Sequence, residues 1–255
     1  MDSEQTKQWL ACPQPNPRAQ TRLFVFPYAG GGPAAFGQWP GALPSMVETW
    51  IAHYPGRGSR YNEAPCTRIQ LLAQNLSQAV KPLLDKPFAF FGHSLGALVA
   101  FELTKQLHEQ SLARPQILFA SACGAPDGHD PQPPIHDLPD SQFIQAVNDI
   151  NGIPSELMSV PELMNLFLPA LRADFEAAEN YATRPGEFML SCPIIALGGI
   201  DDPQVDRLHM EKWSSYTTAG YRARYYPGDH FFINTARDAV IASISDELIS
   251  SHAKN

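Results

Sequence analysis

Basic residues are in short supply in this chain of 255 residues. Its 18 lysines and arginines stand against 26 aspartates and glutamates, for a formal charge of −8. A general nucleic-acid binder needs a basic face to neutralise phosphates, so no nucleic-acid partner is expected. No run of about 18 or more apolar residues occurs, which argues against a membrane-spanning helix and against a membrane partner. The opening stretch MDSEQTKQWLACPQPNPRAQ is polar and holds no apolar segment of signal-peptide length. Cysteine is sparse: Cys12, Cys66, Cys123 and Cys192 lie far apart, without metal-ligand spacing. We expect reduced thiols, no metal and a cytoplasmic location. Nothing in the sequence demands an oligomer, so a monomer is expected.

What the chain does have is apolar residues, at 44%, enough to bury a large core, and 24 prolines. The prolines gather near the N-terminus and around 126–169, where loops or broken helices are expected. At about 150 residues per domain the length allows one or two domains. Residues 1–20 read as a loose lead-in. After them, RLFVFP, VETWIAHYP, PFAFFG and PQILFASACG read as buried strands. Between them lie helix patterns. IQLLAQNLSQAVKPLL carries Leu71, Leu72, Leu76, Val80 and Leu83 at helical spacing, and LGALVAFELTKQLHEQ follows the third strand directly. Strand–helix alternation indicates an α/β fold with a mostly parallel central sheet flanked by helices. The segment 126–186 breaks the rhythm. It contains the helix patterns SQFIQAVNDI and SVPELMNLF, with Ser159 as a candidate N-cap and Pro169 expected to kink or end its helix. We read it as a helical insertion over one edge of the sheet, within a single domain covering 1–255. The sheet then resumes with CPIIALGG and YRARYYPG. NTARDAVIASISDELIS closes the chain as an amphipathic helix with Val240, Ile241, Ile244 and Leu248 on one face.

Gly92-His93-Ser94-Leu95-Gly96 is a G-x-S-x-G sequence placed between an expected strand and an expected helix, the context that this motif requires. A nucleophile on so tight a turn sits in a strained backbone, and a Cβ at either flanking glycine would collide with neighbouring chain. The hydroxyl then projects at the carboxyl ends of the strands, the ligand side of such sheets. A serine hydroxyl needs a base. In this type of chain an acid follows the nucleophile and a histidine comes near the end. His230, in PGDHFFI between a strand and the last helix, fits the base. His93, beside the serine, is expected to be structural and to point away from the site. LGGIDDPQV offers Asp201 and Asp202 as the acid, and the residues alone leave both open. Asp229 adjoins His230 and is badly placed to reach its own neighbour's ring. An oxyanion hole would use the backbone N–H of Leu95 and one from the loop FPYAGGG, with Ala29 preferred and Tyr28 and Gly30 close behind. That glycine-rich loop lacks the lysine of a phosphate cradle.

With these residues in place, the sequence resembles the type II thioesterases that accompany non-ribosomal peptide and polyketide synthases, members of the α/β-hydrolase superfamily. The matching stretches are FPYAGGGPAAF, YPGRGSR, FGHSLGALVAFEL, LPALRADFEAAENY, LGGIDDPQV and YPGDHFFI, in the family's order from about residue 21 to 235. YPGRGSR and LPALRADF are far more specific than the serine motif, which many hydrolases share. The resemblance implies hydrolysis of acyl groups from the phosphopantetheine thiol of carrier proteins, clearing misprimed or stalled synthases. It implies no cofactor, since the phosphopantetheine belongs to the carrier-protein substrate. It makes Ser94 the nucleophile and His230 the base. It also favours Asp202 over Asp201, because the family's acid lies three residues after the glycine that closes the strand, here Gly199, with proline next. The 126–186 insertion resembles the family's mobile helical lid.

Two features remain double-sided at this level. Met158, Leu163, Met164, Phe167 and Leu168 form either ordinary packing between helices or an adaptable acyl pocket. Arg57, Arg60 and Arg172 are candidates for an acidic partner or the pantetheine phosphate, although surface arginines are usually just solvated. A stand-alone esterase, a non-catalytic carrier-binding module and an acyltransferase are the competing functions, and the intact Ser94, Asp202 and His230 set speaks against the module.

Overall fold

The computed structural model of the protein describes residues 4–126, 133–153, 159–184 and 186–253. Met158 lies outside them. Among the described residues, seven strands form one sheet in the order β1-β3-β2-β4-β5-β6-β7. They are β1 (Leu10–Ala11), β2 (Thr21–Phe26), β3 (Val47–Ala52), β4 (Phe88–His93), β5 (Leu118–Ser121), β6 (Ile194–Gly199) and β7 (Tyr221–Tyr226). All neighbours are parallel except β1, which runs antiparallel to β3. Strands β2 to β6 are buried along their whole length, as continuous apolar runs in a sheet covered on both faces should be. Side chains alternate between the faces. Phe24, Phe26, Phe88 and Phe90 enter one core, while Leu23, Val25, Ala89 and Phe91 enter the other. The edge strand β7 is only partly covered and presents Arg222 and Arg224, both paired with Glu247.

Among the described residues the α-helices are α1 (Glu4–Trp9), α2 (Trp39–Ala42), α3 (Ile69–Val80), α4 (Leu95–Glu109), α5 (Asp140–Asn148), α6 (Pro161–Glu179), α7 (Arg207–Glu211), α8 (Phe232–Thr235) and α9 (Arg237–His252). In α9, Val240, Ile241, Ile244 and Leu248 are buried as their spacing predicts. Four expectations about individual elements change. The lead-in is not loose. Thr6 and Trp9 of α1 and Leu10 of β1 are buried, and Leu10 pairs with Ala52. A two-residue strand carries too little pattern to be recognised in advance. Leu71 is exposed on α3, and Ile69 and Ala73 complete the buried face with Leu72, Leu76 and Val80. The N-cap of α6 is Val160, not Ser159. Pro169 does not end α6, which runs on to Glu179. The missing N–H of Pro169 forfeits one bond to the Asn165 carbonyl, and packing of Leu168, Ala170 and Leu171 supports the helix across the gap.

The strand order reverses between β2 and β4, since β3 lies beyond β2 on one side and β5 beyond β4 on the other. Such a switch point opens a crevice at the carboxyl ends of the strands. The insertion carrying α5 and α6 leaves after β5 and returns at β6, both interior strands, so it lies over this crevice and not over an edge of the sheet.

Candidate active site

Ser94 closes β4 and precedes α4 with φ 54° and ψ −120°, a backbone state that a residue with a side chain rarely adopts and that costs roughly 1–3 kcal/mol. Its N–H donates to the Ser121 carbonyl at 2.7 Å and its carbonyl accepts from Ala97 N–H at 2.9 Å, so both neighbours hold the turn. The flanking glycines have distinct reasons. A Cβ on Gly92 would lie 2.1 Å from the Gly96 oxygen, and one on Gly96 would lie 1.9 Å from the Phe26 oxygen. The turn is thus wedged between its own helix and the end of β2.

His230 sits in the connection between β7 and α8. Its Nδ1 is 2.9 Å from Asp202 Oδ2, and neither side chain is more than 3% exposed. Asp202 Oδ1 accepts from the N–H groups of Gln204 and Val205 at 2.9 and 3.3 Å, so both carboxylate oxygens are engaged and the carboxylate is fixed in rotation. Asp201 is exposed. Asp229 points elsewhere: its Oδ1 accepts from Phe231 N–H and its Oδ2 from Asn151. Of the three aspartates, it is Asp202 that the fold brings to the His230 ring. Gly199 makes the approach possible, since a Cβ there would lie 2.3 Å from the Asp229 oxygen.

His93 is buried as a structural residue should be, and its Nδ1 meets Ser121 Oγ at 2.9 Å. It does not turn its back on the site, however. Its ring lies 5.5 Å from the ring of His230, between Tyr28 and Phe232. Burial, and next the neighbouring His230, hold its pKa well below the ordinary histidine value, so it is neutral in the folded protein. Stability is expected to be level above about pH 6.5, where His93 is neutral in both states. Below it only the unfolded chain takes up this proton, and stability falls by up to about 1.4 kcal/mol per pH unit. Urea midpoints from about pH 5 to 8 for the wild type and His93→Asn check this, and equal slopes would clear His93.

One cavity is lined by Ser94, Leu95, Ala29, Tyr28 and His230 together with residues of the insertion. The Leu95 N–H opens α4 and is among the donors a helix leaves without an internal partner. Of the loop candidates, Gly30 drops out, because its N–H already donates to Asp174 Oδ2 at 2.7 Å. Ala29 keeps its place on the cavity wall.

The insertion contributes Val147, Ile150, Gly152, Leu171, Phe175 and Ala178 to that wall. Of the apolar residues singled out in the sequence, the four that are described, Leu163, Met164, Phe167 and Leu168, are not among them. Met164 and Leu168 pack in the insertion's own core, Phe167 lies against Gly30, and Leu163 is exposed. The lining stripe Leu171, Phe175, Ala178 does keep helical spacing, but its direction depends on how α6 docks. The three arginines are not free surface cations either. Arg57 is buried on Asp174, and Arg60 stacks over Trp9 at 4.1 Å while pairing with Glu63. Arg172 ties the insertion together through the His136 and Leu138 carbonyls and Asp140.

A strained serine at the switch point of a mostly parallel sheet, with an Asp–His pair on the neighbouring loops, defines an α/β-hydrolase fold. The chain belongs to the thioesterase family, whose thioesterase domain matches residues 21–248. It is 38% identical over 245 residues to linear gramicidin dehydrogenase LgrE of Brevibacillus parabrevis, covering 95% of this chain and 93% of that protein. It is 35% identical over 242 residues to thioesterase PikA5 of Streptomyces venezuelae, covering 94% and 85%. Among solved structures, YbtT, a type II thioesterase from the yersiniabactin NRPS/PKS biosynthetic pathway, superimposes with a TM-score of 0.85. It is 30% identical, covering 95% of this chain and 99% of that one.

Proposed function

We propose that this protein is an editing thioesterase, which hydrolyses acyl groups from the phosphopantetheine thiol of carrier proteins and so clears misprimed or stalled non-ribosomal peptide or polyketide synthases. The observation that carries the reading is the shared cavity of Ser94 and His230, with Asp202 bonded behind the histidine. His230 takes the Ser94 proton as the hydroxyl attacks the thioester carbonyl. The oxyanion is received by the N–H groups of Leu95 and Ala29. The pantetheine thiol leaves with the proton from His230, an acyl-serine remains, and water activated by His230 releases the acid. Asp202 keeps the imidazole oriented and stabilises its cation.

The choice of a thioester over an oxygen ester leans on the relatives named thioesterases. The dehydrogenase in the name of LgrE finds little support here: Gly30-Gly31-Gly32-Pro33-Ala34-Ala35 has the alanine-ended spacing of a dinucleotide fingerprint, but it leads into the short turn Pro33–Phe36 and not into the helix whose N-terminus such a loop needs. The test is kcat/KM for an acetyl-loaded carrier protein, an acyl-CoA and a simple oxygen ester. The loaded carrier is expected to be the best of the three. A better oxygen ester would make the protein a general esterase, and binding of the carrier without turnover of any substrate would make it a non-catalytic module.

A further inference from the structure

The two most distinctive stretches of the sequence, YPGRGSR and LPALRADF, take no part in the chemistry just described, yet the fold brings them together. Arg57 of the first and Asp174 of the second are both buried, at 8% and 1% exposure. Arg57 Nη2 donates to Asp174 Oδ1 at 2.8 Å and Nη1 donates to Oδ2. The guanidinium also reaches the Pro55 and Gly31 carbonyls and lies over the Tyr54 ring at 5.4 Å. Asp174 Oδ2 has a second donor, the N–H of Gly30.

That second bond gives the pair a consequence for the site. Gly30 follows Ala29 and stands at φ +74°. A Cβ on Gly30 would lie 2.4 Å from Phe167 and 3.0 Å from Leu171, both on α6, so helix and loop touch without a gap. The loop is therefore tied twice to one ion pair, through Gly30 N–H on the carboxylate and through Gly31 oxygen on the guanidinium. A charged acceptor orients an N–H more firmly than a neutral one. An apolar pair of the same size would fill the space but leave the Gly30 N–H without an acceptor.

We infer that Arg57 and Asp174 are positioning residues, which hold the Gly30 N–H and the Gly31 carbonyl only while α6 is docked over the crevice. Through the turn closed by Gly31 N–H on the Tyr28 carbonyl at 2.8 Å, they hold the Tyr28–Ala29 peptide that carries the Ala29 N–H. The inference rests on the proposed thioesterase reading for its catalytic consequence. It gives the insertion a second task beside walling the cavity: an undocked α6 withdraws Asp174 and leaves the loop without its anchor.

The test compares two double variants, because either single change strands a buried charge and could simply unfold the protein. Arg57→Met/Asp174→Leu removes both charges and the acceptor. Arg57→Met/Asp174→Asn removes the charges and keeps an acceptor for Gly30. The first is expected to lose about tenfold or more in kcat on an acyl thioester with KM within about twofold, as for a displaced oxyanion donor. The second is expected to stay within about threefold of wild type, with slower amide exchange at Gly30 than the first. A merely structural pair predicts equal kcat in the two once both melt alike, and that result overturns the inference. If neither folds, exchange in the wild type decides: a Gly30 amide as fast as an exposed loop amide overturns it, and a protected one supports it. A wild type inactive on every thioester would sink the functional reading while leaving the exchange result to judge the tether.

Discussion

Ser94→Ala is expected to lower kcat on an acyl thioester by about 10⁴- to 10⁶-fold while leaving the fold intact. The hydroxyl is the only atom removed. Alanine must occupy the same φ of 54°, but the strain is already present in the wild type and is fixed by the Ser121 and Ala97 backbone bonds, which the substitution keeps. The melting temperature should therefore change little. Asp202→Asn should approach the same loss, about 10⁴-fold, because an amide at this position holds the wrong tautomer of His230. Asp201→Asn, one residue away and exposed, should stay within about twofold of wild type, as surface changes do. Steady-state kinetics on the three variants, with circular-dichroism melts, check all of this. Turnover by Ser94→Ala at more than about a hundredth of the wild-type rate would mean that water or another residue attacks the thioester, and the acyl-serine mechanism would fall.

The serine turn was legible in the sequence because its constraints are local. A strand, two glycines, a serine and a helix lie within a few residues, and each is demanded by sterics that no distant contact can relax. His230 was legible from chain order and its loop. Asp202 was not separable from Asp201 by the residues themselves, since the choice is one of register at the end of β6. In the fold the two differ in contact and depth: Asp202 meets the His230 ring with its side chain at 0% exposure, while Asp201 is exposed. The resemblance supplied the choice that local pattern could not. Arg57 defeated the sequence reading for a related reason. An arginine reads as solvated until its partner is known, and the partner of Arg57 lies 117 positions away. The cavity wall was likewise hidden. Helical spacing puts Met164, Leu168, Leu171 and Phe175 on one stripe of α6, but which stretch of that stripe faces the serine depends on where along its length the helix lands on the Gly30 loop.

Gly96→Ala is expected to abolish the folded enzyme, through one methyl group. The new Cβ would stand 1.9 Å from the Phe26 oxygen, 2.6 Å from the Phe26 carbonyl carbon and 2.8 Å from the Pro27 oxygen. All three are backbone atoms, so no rotamer change relieves the clash. Phe26 ends β2, which is fully buried between β3 and β4 and paired with Gly92 in register, so it cannot retreat without breaking the sheet at its centre. Moving α4 away instead would pull Leu98 and Phe101 out of the core and open the turn that carries Ser94. Either route is expected to cost more than about 4 kcal/mol, a large share of the stability of an ordinary domain. Gly41→Ala is the matched control. It lies exposed in α2, the nearest atom to its Cβ is the Gln14 side chain at 3.5 Å, and its effect should stay within about 0.5 kcal/mol. Soluble yield, melting temperature and kcat of the two variants are the measurements. A Gly96→Ala protein that melts and turns over like wild type would show that β2 and α4 are not held in the contact described. The explanation of the G-x-S-x-G pattern as a steric requirement of this turn would then fail with it.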